Sequence, residues 1–193
     1  MAIRHLDTPI GELTLTATPN GLLQVSFPTA PTPLGIPEPS EQHDMCEAIL
    51  DATARQISEY FSRSRAAFDL PLDLSTVTPF RRLVLNGLLS IPYAQTISYR
   101  DLAALIGHPR AARAVGNACA TNPLPIVIPC HRVLRSDGGL GGYLGGPVIK
   151  RFLVDLETRQ PRLPSPAIET DQVPSRQHAA NPNCSRTVKA AEH

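Results

Sequence analysis

Ser98-Tyr99-Arg100-Asp101-Leu102-Ala103-Ala104-Leu105-Ile106-Gly107-His108-Pro109-Arg110-Ala111-Ala112-Arg113-Ala114-Val115-Gly116-Asn117-Ala118 is the stretch on which the fold turns. Ser98 is a helix N-cap, and Asp101 three residues later completes a capping box. Leu102, Ala103, Leu105 and Ile106 supply an apolar face, and Gly107 suits the left-handed residue that closes a helix. Pro109 starts a second helix, Arg110 to Ala120, which stops at Asn122-Pro123. Two short helices across a tight glycine turn outline a helix-turn-helix, although a plain helical hairpin has the same outline. The make-up of the second helix separates the two. Its small side chains allow close approach to another surface, and Arg110 and Arg113, one turn apart, are spaced to reach phosphates or a groove.

Upstream, Thr78 caps a helix with Pro79 at its first position and Phe80, Leu83, Val84 and Leu88 as its apolar residues. Asn86-Gly87 inside it would also suit a hairpin turn, but the flanks lack strand alternation, so a helix is expected. Downstream, Leu124 to Ile128 reads as a short buried strand with Cys130 at its exit, in Ile128-Pro129-Cys130-His131-Arg132-Val133. Pro129 fixes φ and has no N–H, so the backbone should leave strand geometry at the sulfur. An arbitrary buried cysteine is inert; a nucleophilic one needs a polar neighbour that takes or offsets its proton. Asp137-Gly138-Gly139-Leu140-Gly141-Gly142-Tyr143 is too glycine-rich for regular structure and has no phosphate-loop spacing, so it suits close approach of a flat ligand or a backbone. Pro147 begins a last helix with Ile149, Phe152, Leu153 and Leu156 on its apolar face and Glu157 beside it.

The first half is different. Thr14, Thr16 and Thr18 alternate with Leu13, Leu15 and Ala17, and Leu22 to Phe27 follow a Pro19-Asn20-Gly21 turn, which reads as a β-meander over 3–27. Five prolines between Pro28 and Pro39 make a long loop. A helix over 43–62 places Met45, Ile49, Ala52, Ile57, Tyr60 and Phe61 on one side, and Phe68 to Leu72 is a short strand or extended linker. Nothing in residues 1–75 looks like a site. Beyond Gln160 the periodicity is lost among prolines and polar residues, so 161–193, with Cys184, reads as a disordered tail.

Charge divides the same way. Residues 1–75 carry −6, residues 76–160 carry +6 and residues 161–193 carry +1, which directs the search for a polyanionic partner to the second half. The four cysteines have no CxxC spacing, which argues against a disulfide framework or zinc ribbon and for a reducing compartment. With no signal-peptide core and no run of membrane-span length, a cytoplasmic protein is expected, or a nuclear one in a eukaryote.

With these residues in place, the second half resembles the O6-alkylguanine-DNA alkyltransferases, the methylated-DNA–protein-cysteine methyltransferase family. Pro129-Cys130-His131-Arg132-Val133 matches its acceptor-cysteine signature. Ile91-Pro92-Tyr93, Ser98-Tyr99, Ala112-Arg113-Ala114-Val115-Gly116, Asn122-Pro123 and Gly141-Gly142-Tyr143 match in order and spacing. Thr8-Pro9-Ile10-Gly11-Glu12-Leu13 with Gly21-Leu22 is similar, more loosely, to the family's N-terminal hairpin. The resemblance implies a ribonuclease H-like α/β domain over 1–75, a small antiparallel sheet plus helix. It implies a mainly helical, winged-helix-like domain with the helix-turn-helix over 76–160.

It also implies a chemistry: a monomer that docks on double-stranded DNA containing O6-alkylguanine through the minor groove and flips the damaged base out of the stack. One cysteine then takes the alkyl group, once per molecule, with no cofactor and no metal; O4-alkylthymine is an expected second substrate. By position, Cys130 is the acceptor, His131 the base acting through water, and Glu157 the group that orients and charge-balances it. Tyr99 turns the target phosphate or protonates the leaving guanine, Arg113 fills the space left by the flipped base, and Asn122 braces the active-site turn. Val133, through its backbone, Tyr143 and Leu144 line the pocket. Arg100, His108 and Ser136 fall at backbone-contacting positions. Three residues depart from the family: Leu85 for a frequent Trp, Ala94 for a usual Gly (both read as packing changes), and Leu144 where some members have a Ser that donates to O6. Competing readings are a DNA-binding regulator or lesion-recognition module with an unreactive Cys130, a cysteine hydrolase using Cys130 and His131, and a zinc site among His5, His43 and Cys46.

Overall fold

Leucine–threonine alternation gives three antiparallel strands, β1 (Ala2–Leu6), β2 (Leu13–Thr18) and β3 (Gly21–Ser26), in the order β1-β2-β3. The computed structural model describes residues 1–27 and 41–159; the proline-crowded loop expected over 28–39 and the tail 161–193, with Cys184, lie outside the described residues. On β2, Leu13 pairs with Leu6 of β1 and Leu15 with Val25 of β3, and the residues from Leu13 to Ala17 are all buried.

The sheet packs on α1 (Glu41–Phe61). The buried stripe of α1 is Cys46, Leu50, Thr53, Ile57 and Tyr60, at alternating spacings of four and three. The expected face was offset at its start: Met45 is exposed, Ile49 and Ala52 are only partly covered, and Cys46 and Leu50 take the core positions. Phe68 to Leu72 is extended, as expected, with a single parallel bridge from Leu72 to Leu22. There the edge of β3 is closed twice. Leu22 N–H donates to the Pro71 carbonyl at 2.8 Å, and Val25 N–H donates to the Pro123 carbonyl at 2.9 Å. An edge strand capped this way cannot pair with another chain. The second of these bonds ties the sheet to the segment that leads to Cys130.

The second half contains α2 (Pro79–Leu89), β4 (Ile97–Ser98), α3 (Tyr99–Leu105), α4 (Ala112–Ala120), a 3-10 turn over Cys130–Arg132, β5 (Val133–Leu134) and α5 (Gly146–Thr158). Thr78 and Pro79 start α2 as expected, and Asn86-Gly87 stays helical. Gly87 serves a helix crossing there: a Cβ would meet Ile106 Cγ2 at 2.6 Å. Ser98 and Asp101 form the expected capping box on α3, and Gly107 takes φ +78° to end it. The expected span of α4 is corrected: Pro109 and Arg110 lie in the turn, where Ala111 N–H donates to the His108 carbonyl at 2.8 Å, and the helix begins at Ala112. Arg110 and Arg113 are therefore not a pair on one helix. Leu105, expected in the apolar face of α3, is 59% exposed.

Leu124 to Ile128 is not a strand. Pro123 and Pro125 remove two ladder donors, Ile126 adopts φ +75°, and Ile128 N–H folds back to the Leu124 carbonyl at 2.8 Å. The segment is buried, as expected, but coiled. β4 and β5 form a two-residue parallel pair that anchors the chain after the cysteine. A single apolar core runs through both halves, from Leu13, Leu50 and Ile57 to Leu85, Leu102 and Leu153.

Candidate active site

Cys130 sits just past a turn centred on Pro129. With φ −81° and ψ 62°, Pro129 makes an inverse γ-turn, closed by Cys130 N–H donating to the Ile128 carbonyl at 2.8 Å. The chain thus leaves extended geometry at the sulfur, as the proline predicted. Asn122 spans the coil: its Nδ2 donates to the Ile128 carbonyl at 2.8 Å and to Cys130 Sγ at 3.1 Å, while Leu124 N–H donates to its Oδ1 at 3.0 Å. All three of these bonds are buried. Burial pushes the Cys130 thiol up to about 11, against a downward pull from the Asn122 amide and the Lys150 charge. At neutral pH the resting group is a thiol, so a nearby base is required.

The next residue, His131, carries an imidazole. His131 has no exposed surface, and its Nε2 lies 2.9 Å from Glu157 Oε1 on α5. Burial lowers the His131 pKa even though Glu157 works to raise it, so the ring is neutral at pH 7. A neutral ring whose Nε2–H donates to the carboxylate leaves the Nδ1 lone pair as acceptor. Nδ1 is buried and has no hydrogen-bond partner among the described residues.

Glu157 is 2% exposed yet ionised. Burial works to raise its pKa, but hydrogen bonds from His131 and Arg132, together with the Arg132 charge, outweigh it and hold the carboxyl at about 2. Arg132 donates to it bidentately, Nε to Oε2 at 2.9 Å and Nη2 to Oε1 at 3.0 Å, and donates through Nη1 to the Ile91 carbonyl at 2.6 Å. Ala94 N–H donates to Oε2 at 3.0 Å, and the Tyr60 hydroxyl donates to Oε1 at 2.8 Å. Ala94 reaches that position with φ +61°. Its departure from glycine therefore concerns backbone conformation, not packing as expected. Leu85 lies wholly buried in the core.

A second cluster faces the same cysteine. Lys150 on α5 has no exposed surface. Its Nζ donates to the Val133 carbonyl at 2.6 Å, to the Leu140 carbonyl, and at 3.4 Å to both the Gly142 carbonyl and the Tyr99 hydroxyl. It binds the glycine-rich segment to β5 and Tyr99. Tyr99 is half-buried, and burial raises its phenol to about 12, so it remains a proton donor. Tyr143 packs edge-on against Phe27 at the end of β3, with ring centroids 5.8 Å apart. Its hydroxyl is buried without a partner among the described residues. Leu144 is half exposed.

The remaining candidates lie on the surface. Arg113 projects from α4 beside exposed Ala114 and Asn117, while Val115, Ala118 and Cys119 face inward. Arg100 is exposed on α3, His108 in the turn, and Ser136 in the turn after β5. His108 rests edge-on against Phe80 at 5.8 Å. Cys130, His131, Glu157, Asn122 and Val133 come together inside; Arg113, Arg100, His108 and Ser136 do not touch them.

Three members of the site were missed. Arg132 stood in the quoted hexapeptide without a role. Lys150 shares the i, i+3, i+7 face of Leu153 and Glu157, a readable signal. Tyr60 lies in residues 1–75, where no site was expected; that expectation is corrected by its bond to Glu157. Among the described residues no group of His, Cys, Asp and Glu side chains is arranged to hold a metal ion.

The architecture defines a class: a thiol protein whose buried cysteine shares one core with the short helix pair α3–α4 and is followed by a buried His–Glu–Arg network. Residues 1–74 match the family described as 6-O-methylguanine DNA methyltransferase, ribonuclease-like domain, and residues 79–159 match its DNA binding domain. The chain belongs to the 6-O-methylguanine DNA methyltransferase family. A methylated-DNA–protein-cysteine methyltransferase of Methanosarcina barkeri is 40% identical over 152 residues, covering 79% of this chain and 94% of that protein. One from Rattus norvegicus is 38% identical over 173 residues, covering 77% and 78%. The crystal structure of Mycobacterium tuberculosis OGT in complex with DNA matches with a TM-score of 0.72 at 38% identity, covering 81% of this chain and 92% of that one.

Proposed function

We propose that this chain repairs double-stranded DNA by moving the alkyl group of O6-alkylguanine, and of O4-alkylthymine, onto Cys130. The observation that carries the reading is Cys130 Sγ, held by Asn122 and followed by a neutral, carboxylate-oriented imidazole in a helix-turn-helix protein. His131 takes the thiol proton through a bridging water on Nδ1, and Glu157 stabilises the imidazolium. Sulfur attacks the alkyl carbon in line; the C–S bond forms as the O6–C bond breaks, and the electron pair stays on guanine, which takes a proton from Tyr99 or solvent. The thioether does not hydrolyse, so each molecule acts once, as a monomer, in the cytoplasm or in a eukaryotic nucleus.

Residues 76–160 carry DNA contact and chemistry in this reading. Arg113, on the outer face of α4, fills the gap left by the flipped base; Arg100, His108 and Ser136 contact the backbone; Val133, Tyr143 and Leu144 line the base pocket. Incubating the protein with a duplex carrying one O6-methylguanine, then mapping peptides by mass, tests it. One added methylene is expected on Cys130, with guanine restored. Cys130→Ala should bind the same duplex and gain nothing. Transfer that survives Cys130→Ala would sink the assignment, and binding without transfer by the wild type would leave a recognition module.

A further inference from the structure

Tyr60 is the one residue of the first half, among those described, that hydrogen-bonds the His131–Glu157 pair. Its side chain has no exposed surface and lies against the rings of Phe68 and Tyr93, with centroids 5.5 and 6.4 Å away. Its Oη donates to Glu157 Oε1 at 2.8 Å and stands 3.4 Å from His131 Nε2. Packing alone does not call for this hydroxyl. Phenylalanine would fill the same space, and a buried hydroxyl is costly unless paired. The phenol is placed where it can act only on the carboxylate and the imidazole.

We infer that Tyr60 is a positioning residue for transfer to Cys130: its hydroxyl holds Glu157 Oε1 against His131 and sets how readily that imidazole takes a proton. The inference rests on the reading of Cys130 and His131 given above. The groups that face the pair are Arg132 from the 3-10 turn, Tyr93 and the Ala94 N–H from the loop after α2, the Tyr143 phenol from the glycine-rich segment, and Lys150 from α5, which acts on His131 by charge. Arg132 and Lys150 are cations that disfavour imidazolium; the Tyr60 hydroxyl acts in the same direction by spending part of the carboxylate's acceptor capacity. Without it, Oε1 keeps only His131 and Arg132 as donors, its pull on the imidazole proton strengthens, and His131 becomes more basic.

Single-turnover transfer from the O6-methylguanine duplex, followed across the neutral pH range, is compared for wild type, Tyr60→Phe and Phe68→Leu. The titration of His131 is followed by nitrogen NMR on the same full-length proteins. Tyr60→Phe should slow transfer by about tenfold at neutral pH, the scale of one hydrogen bond to a charged group. It should also move both the acid limb of the rate profile and the His131 titration to higher pH. Phe68→Leu loses packing against the same ring but keeps the hydroxyl, and should leave limb and titration in place. Should Tyr60→Phe fail to fold, 3-fluorotyrosine at position 60 strengthens the donor and should move both to lower pH. Limb and titration unchanged in Tyr60→Phe, with wild type active, overturn the inference alone; so does Phe68→Leu reproducing the shift. A wild type that transfers nothing overturns the functional reading and this role with it.

Discussion

Ala94 occupies a left-handed backbone position, φ +61°, without the glycine that such a position favours. It is held there because its N–H completes the Glu157 acceptor set. The Cβ brings a steric cost of about 1 kcal/mol or slightly more, partly offset by the lower chain entropy of alanine in the unfolded state. Ala94→Gly should therefore raise stability by up to about 1 kcal/mol, read as a higher urea midpoint at unchanged slope. A lower midpoint would mean that the strain is absent. Charge at the same carboxylate follows one logic: burial works to raise the Glu157 pKa, and five donors from Tyr60, Ala94, His131 and Arg132 keep it ionised. In an ion pair this deep, desolvation offsets much of the attraction.

Among the elements, the glycine-rich segment before α5 makes a tight steric demand. Gly141 has φ +66°, and a Cβ there would stand 2.7 Å from Tyr99 Oη. Glycine therefore lets the Tyr99 ring and the segment touch, where the Tyr99 hydroxyl donates to the Gly142 carbonyl at 3.5 Å. Gly141→Ala should displace one of the two. The expected result is a loss of transfer rate of tenfold or more, by order of magnitude, with a stability loss of about 1–2 kcal/mol. Wild-type rates in that variant would show that the Tyr99–segment contact has no part in the reaction. Lys150 reinforces the element by donating to the Val133 carbonyl before it and to the Leu140 and Gly142 carbonyls within it, which explains why a lysine tolerates complete burial.

For the whole molecule, the two halves share one core and one buried network, so the ionisation of that network is tied to folding. His131 is neutral when folded, with its pKa lowered by burial. An unfolded chain takes up a proton there as pH falls below the ordinary value of 6.5, and stability declines from that point. Glu157, held at about 2 against an ordinary 4.5, contributes stability that is fully present above 4.5 and is lost as pH falls through about 2. Urea midpoints should be flat in the mildly alkaline range and fall steadily once the pH drops below 6.5. A midpoint that holds steady down to pH 4.5 would contradict a neutral buried His131.

The chain alone was enough for most of the local structure, though not for the start of α4, which lies at Ala112. Alternation over Leu13–Thr18, the Thr78-Pro79 start, the Ser98–Asp101 box and Gly107 each specify an element through period, cap or turn chemistry, and the structure has each of them. The motif Pro129-Cys130-His131 located the turn that carries Cys130, because proline ends extended geometry whatever surrounds it. What the sequence could not specify was which groups meet across distance. The coil over Leu124–Ile128 reads as a strand until the neighbouring Asn122 is seen donating to the Ile128 carbonyl and satisfying the Leu124 N–H through its side chain, a pairing that an apolar run by itself does not reveal. Tyr60 reads as a core ring, and only packing delivers its hydroxyl to Glu157, 97 residues away, and the Lys150 ammonium to the carbonyls of the glycine-rich segment. Local free energies decide helices and turns. The ionisation of a buried carboxylate is decided by every donor that the tertiary fold brings to it.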